Sequence, residues 1–154
     1  MLDVGKIVQP PISNLQSPTM KRFEEIPHTA DWSFRAFGRD LRELFANAGH
    51  ALFALEGARA DDRTNETTRV IELNAIDRET LFVTWFSELL WMQEAYREVY
   101  TRFEIELLSE TDLRATVFGK PRVAMDKIIK AATYHNLKIE QTQDGWQAVV
   151  VVDV

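Results

Sequence analysis

The sequence predicts an α+β fold: a single compact domain in which a mostly antiparallel sheet packs against two main helices. Two apolar stripes at helical spacing give the helices, and period-two alternation bounded by turn signals gives the strands. A chain of 154 residues with 45% hydrophobic content and no internal repeat or second boundary is large enough for one such core.

Residues 1–20 hold Pro10, Pro11 and Pro18 among polar residues without a sustained period, and read as a flexible N-terminal arm before a folded domain at 21–154. A short strand is expected at Arg22–Ile26, broken by Pro27, with a second at Trp32–Phe37 whose Trp32, Phe34 and Ala36 share a face. Gly38 closes it. Asp40 and Glu43 have capping-box spacing, and Leu41, Leu44, Phe45, Ala48, Leu52 and Leu55 then recur on one helical face as far as Gly57. After a polar loop at Asp61–Glu66 and a strand at Thr68–Leu73, Asp77 caps a second helix. Its apolar face is Leu81, Phe82, Trp85, Phe86, Leu89 and Leu90. Trp91 and Met92 are read with Trp85 and Phe86 as core, and Glu88, Glu94 and Glu98 as a solvated face.

Val99, Thr101, Phe103, Ile105 and Leu107 alternate with Tyr100, Arg102, Glu104 and Glu106, and Leu113, Ala115 and Val117 repeat the pattern beyond Thr111-Asp112, which makes a hairpin. Lys127–Glu140 suits a short helix or a strand, with strand favoured near Ile139. Asp144-Gly145 is a turn, and Trp146–Val152 is expected as a strand buried on both faces.

The absence of cysteine removes disulfides, zinc-thiolate sites and thiol nucleophiles, and makes a cytoplasmic location the default expectation. A net charge of −6 argues against strong direct nucleic-acid binding. No apolar run approaches the ~20 residues of a membrane-spanning helix, and the first residues lack the pattern of a signal peptide.

Pro27-His28-Thr29-Ala30-Asp31 brings an imidazole, a hydroxyl and a carboxylate into one strand connection, where Thr29 and Asp31 equally suit backbone-bonded turn roles. Asp153 follows four valines beside Val154, as a solvated terminus or as part of a hard-cation site to which Asp31 would add a carboxylate. The three histidines, His28, His50 and His135, have no metal-pair spacing; His50 falls off the apolar stripe and is expected at the surface. No phosphate loop, nucleophile elbow or catalytic triad order is present, so a hydrolase acting alone lacks a recognisable base or nucleophile.

Four blocks in order resemble the archease family: Glu25-Ile26-Pro27-His28-Thr29-Ala30-Asp31, Trp85-Phe86-Ser87-Glu88-Leu89-Leu90, Lys130-Ala131-Ala132-Thr133-Tyr134-His135-Asn136-Leu137, and Val152-Asp153-Val154. The resemblance implies a non-enzymatic accessory protein that promotes guanylylation and multiple turnover of a GTP-dependent RtcB-type RNA ligase in tRNA splicing. It also implies a divalent cation, typically calcium, held by Asp31, Asp153 and Val154. His28 and Lys130 become partner-facing candidates. A chaperone-like binding module for RNA-modifying enzymes is the alternative. This sequence departs from the family pattern at Trp32-Ser33, where a small aliphatic residue and glycine are usual, and at Asn136, where glycine is common.

Overall fold

The computed structural model describes residues 21–27 and 31–154; the expected arm at 1–20 and His28 lie outside the described residues. The elements, in order, are β1 (Phe23–Ile26), β2 (Trp32–Gly38), α1 (Leu41–Leu55), β3 (Arg59–Ala60), β4 (Thr67–Asn74), α2 (Arg78–Tyr96), β5 (Glu98–Leu108), β6 (Asp112–Ala124), β7 (Ala131–Ala132), β8 (Lys138–Thr142) and β9 (Gly145–Asp153). The α+β class is as the sequence predicts, with the strands divided between two antiparallel sheets. One runs β1-β2-β9-β7 with β8 also on β9, and the other runs β3-β6-β4 with β5 also on β6.

Each helix begins where its cap was expected. Asp40 accepts from the Glu43 amide at 2.8 Å and Asp77 from the Thr80 amide at 2.8 Å, so each satisfies one of the unpaired N–H groups of a first turn. Glu43 reaches back to the Arg39 amide at 2.8 Å, one residue earlier than a standard capping box. The helices bury Leu44, Phe45, Leu52, Leu81, Phe82 and Trp85 completely, and the Trp85 indole N–H donates to the Phe45 carbonyl at 2.9 Å. That bond removes the desolvation cost an unpaired buried indole would carry.

Gly145 makes a close backbone crossing: its φ is +142°, and a side chain there would run into the Gly38 carbonyl oxygen. Only glycine fits both constraints. The β8–β9 hairpin it starts carries β9 into the middle of the first sheet, between β2 and the β7–β8 edge.

Several expectations are corrected. Trp91 is 57% exposed, because it stands on the side of α2 opposite Leu89 and Trp85, and packs edge-on against Tyr96. Glu98 is 6% exposed and ion-paired with Arg69 at 2.7 Å, so it does not belong to a solvated face. The regular alternation expected of β5 fails because its register against β6 shifts after Tyr100 and again after Ile105. These bulges bury Tyr100 and leave Leu107 exposed. His50 is half-buried, with Phe103 edge-on at 4.9 Å. In β9, Ala148, Val150 and Val152 are buried, whereas Val149 and Val151 on the other face are only partly covered. Lys127–Glu140 forms no helix: it is irregular chain, the short β7, a turn and then β8, the strand expected near Ile139.

Candidate functional site

The antiparallel pairing of β2 with β9 ends at Val152 opposite Trp32. Asp31 directly precedes Trp32 and Asp153 directly follows Val152, so both lie just beyond this last pair, and both are exposed. Chain entry into β2 and chain exit from β9 therefore meet at one end of the sheet, with Val154 beside them.

The opposite flank of β9 brings in Lys130. Asp153 pairs with Ala131, and the Lys130 amide donates to the Asp153 carbonyl at 2.7 Å. This bond occupies the Asp153 main-chain oxygen, so the side-chain carboxylate is the group Asp153 presents at the tip. Thr133 fastens the same strand by donating through both its amide and its hydroxyl to the Val151 carbonyl, each at 2.9 Å.

A second shell of charge surrounds the tip. The Lys127 ammonium lies 4.6 Å from the Trp32 ring centroid, and the Trp32 indole donates to Glu25 at 3.1 Å. Trp32 thus occupies the place where the family pattern has a small residue, and it joins β1 to the segment that carries Lys130.

The residue types suit a hard divalent cation: two aspartates at one end of a strand pair, with the backbone of Val154 adjacent. Carboxylates close together repel by on the order of 1 kcal/mol in a water-like dielectric, which a cation between them would reverse. Among the described residues, no three His, Asp or Glu side chains form a metal-binding cluster, so a site here would rest on two side chains and the chain terminus.

Residues 23–154 match the Archease protein family, which spans most of the chain and includes every element described above. The chain belongs to the archease family. Relatives of the same name are the Protein archease of Methanosarcina acetivorans, 36% identical over 144 residues covering 87% of this chain and 97% of the relative, and that of Saccharolobus solfataricus, 33% identical over 142 residues covering 88% and 100%. Among solved structures, the solution structure of Methanobacterium thermoautotrophicum protein 1598 superposes with a TM-score of 0.63 at 26% identity, covering 88% of this chain and all of that one. The crystal structure of an archease, possible chaperone, from Thermotoga maritima gives a TM-score of 0.63 at 25% identity, covering 90% of this chain and all of that one.

Against the archease blocks, the fold brings Asp31, Lys130, Asp153 and Val154 to one end of one sheet, although the first and last are separated by almost the whole folded chain. Asn136 adopts φ 54°, the left-handed conformation that makes it an acceptable replacement for glycine. Its amide nitrogen lies 3.2 Å from His135 Nε2 in an exposed turn.

Sequence reasoning missed three contributors. Lys127 lay in a stretch with no clear period. Glu56 and Gln93 are polar residues with no motif, and both are fully buried where α1 and α2 meet the 126–130 segment. Beside them, Leu90, Trp91, Glu94, Ile128 and Lys130 line an open cleft of about 430 Å³ that reaches towards the acidic tip.

Proposed function

We propose that this archease-family chain is an accessory protein of a GTP-dependent, RtcB-type RNA ligase, promoting ligase guanylylation and multiple turnover, and that its working surface is the Asp31–Asp153 end of the first sheet. The observation that supports this most is the register of β2 against β9, whose last pair, Trp32 with Val152, brings the neighbouring Asp31 and Asp153 to the same exposed strand end. Asp31 and Asp153, with the backbone of Val154, would hold a hard divalent cation through oxygen donors, and the family resemblance makes calcium the expected ion.

When bound, the cation supplies positive charge for phosphate oxygens and cancels the mutual repulsion of the two aspartates. The chain's own residues do the rest. Lys130, whose amide is bonded to the Asp153 carbonyl and whose exposed side chain borders the cleft, offers a cation for an acidic or phosphate-bearing group of the ligase. The Trp32–Lys127 stack and the Lys130–Asp153 backbone bond hold these groups on sheet positions, so the partner meets a preformed surface. Among the described residues no general base or nucleophile stands beside them, and in this reading the bond-making is left to the ligase.

The test is multiple-turnover joining of RNA ends by the ligase with and without this chain. Asp31→Ala, Asp153→Ala and Lys130→Ala should each remove most of the stimulation while leaving the folded state intact, since all three side chains are exposed. Equal rates with and without the chain would end this reading.

A chaperone-like role is a second reading, suggested by the words "possible chaperone" attached to the Thermotoga relative and by the exposed Trp91 and Ile128 flanking the cleft. It predicts stable association with several RNA-modifying enzymes that survives Asp31→Ala.

A further inference from the structure

Glu56 caps the C-terminal end of α1 with 0% exposure, and it gathers amides instead of a cation. Its carbonyl oxygen accepts from the Asp126 amide at 2.8 Å and the Lys127 amide at 3.1 Å. Its Oε2 accepts from the Ile129 amide at 2.9 Å and from Gln93 Nε2 at 3.1 Å. One residue thus ties the segment leading to Lys130 both to α1 and, through Gln93, to α2. Lys130 itself is anchored at its amide to Asp153.

Among the described residues, two buried side-chain oxygens have no hydrogen-bond partner, Glu56 Oε1 and Gln93 Oε1. Two acceptors cannot satisfy each other, but a carboxylic acid facing a primary amide can form a reciprocal pair. In such a pair the amide N–H bonds one carboxyl oxygen and the carboxyl O–H bonds the amide oxygen. The Gln93 Nε2–Glu56 Oε2 contact is the first half of that pair, and the two unpartnered oxygens are the atoms the second half would join.

We propose that Glu56 is held as a neutral carboxylic acid whose proton completes a reciprocal pair with Gln93, and that this neutral latch fixes residues 126–130 so that Lys130 stands beside Asp153. Glu56 is a positioning residue; the importance of Lys130 rests on the ligase reading above, whereas the latch does not.

The surroundings agree. Burial is the largest influence on Glu56 and pushes its carboxyl above the ordinary 4.5; Glu94 on α2 pushes the same way, while the Ile129 and Gln93 hydrogen bonds and Arg122 on β6 pull it down. Arg122 is itself paired with Glu94 at 3.4 Å, which weakens its hold. From the latched segment, Asp126 is bound by Arg59 at 3.1 Å and Lys127 lies over Trp32, so both are engaged elsewhere. An ionised Glu56 would leave one carboxylate oxygen buried without a donor, a costly arrangement.

The deciding experiment is a carbon-13 NMR titration of the Glu56 carboxyl in the full chain. A midpoint above the ordinary glutamate range is expected, and one within or below that range would overturn the proposal. Amide exchange supplies the second readout. Glu56→Gln, whose own NH2 can bond Gln93 Oε1, should keep the protection of the Ile129 and Lys130 amides within about twofold, whereas Glu56→Ala should lower it about tenfold or more. Equal loss in both variants would show that a charged carboxylate is required and would also overturn the proposal. Should Glu56→Ala not fold, the titration of the parent chain and the exchange of Glu56→Gln decide. If both behave as expected yet neither parent nor Glu56→Gln stimulates the ligase, the latch stands and the ligase reading fails.

Discussion

Replacing Glu98 with alanine removes the acceptor at the centre of a nearly buried polar network. Its carboxylate accepts from Arg69 Nε at 2.7 Å and Nη2 at 3.0 Å, from the Tyr100 hydroxyl at 2.6 Å and from the Thr67 hydroxyl at 3.0 Å. Thr67 can turn to the Gly119 carbonyl, which it already reaches at 3.2 Å, so its loss is small. The Arg69 side chain is 29% exposed and stacks on Tyr96, so water recovers part of what it loses. Tyr100 has neither recourse at 1% exposure, and an orphaned buried hydroxyl costs roughly 1–3 kcal/mol.

With about 1 kcal/mol for the partly solvated guanidinium, the expected loss is about 3 kcal/mol. In a domain of this size that corresponds to a fall in melting temperature of roughly 6–12 °C. Glu98→Gln, which keeps an acceptor of the same shape, should lose less than half as much. The assay is thermal unfolding followed by circular dichroism from pH 3 to 8. Arg69 first, then Tyr100 and Thr67, hold the Glu98 carboxyl below its ordinary 4.5 against the opposing effect of burial. Its contribution is therefore fully present above pH 4.5 and is lost as pH falls through the depressed folded value, and Glu98→Gln should remove that part of the acid slope. A melting temperature for Glu98→Ala within 2 °C of the parent, or an acid slope unchanged in Glu98→Gln, would refute this account of the network.

Calcium at one hundred times its dissociation constant should stabilise the parent chain by about 2.7 kcal/mol, and the gain should vanish in Asp31→Asn/Asp153→Asn; differential scanning fluorimetry with and without chelator checks it. Burial, with Arg22 adding to it, lowers His50 from 6.5 to about 4, so the unfolded chain binds the extra proton and stability is lost as pH falls from about 6.5 to 4. His50→Gln should flatten that window in urea titrations at pH 4, 5 and 6.5. Glu56 acts in the opposite sense: its raised carboxyl makes the folded state the tighter proton binder, so its contribution declines as pH rises from 4.5 through the folded value, and Glu56→Gln should remove that decline. Gly145→Ala should cost several kcal/mol, on the order of 3, because the left-hand φ and the Gly38 carbonyl both oppose a side chain; a denaturant midpoint near that of the parent would contradict the tight crossing of β2 and the β8–β9 turn.

Local patterning determined a good deal of this protein. Asp40 and Asp77 cap the helices they precede, because a short acceptor side chain before an amphipathic run satisfies free amides whatever lies elsewhere. The β2 face of Phe34 and Ala36 and the Asp144-Gly145 turn were legible for the same local reason. Asp31 and Asp153 could be picked out as residues, and the resemblance could join them in one expectation. Only the tertiary structure decided that they lie at the same end of one sheet, because the register of β2 on β9 depends on which strands become neighbours, a choice made by core packing over the whole chain. The same holds for Trp91 and Glu98: helical spacing and charge assign a residue to a type of face, but burial depends on what packs there, and the bulges of β5 reversed the alternation at Tyr100. Glu56 is the extreme case, a glutamate with no motif that becomes an uncharged-acid candidate solely because α1, α2 and the 126–130 segment close around it.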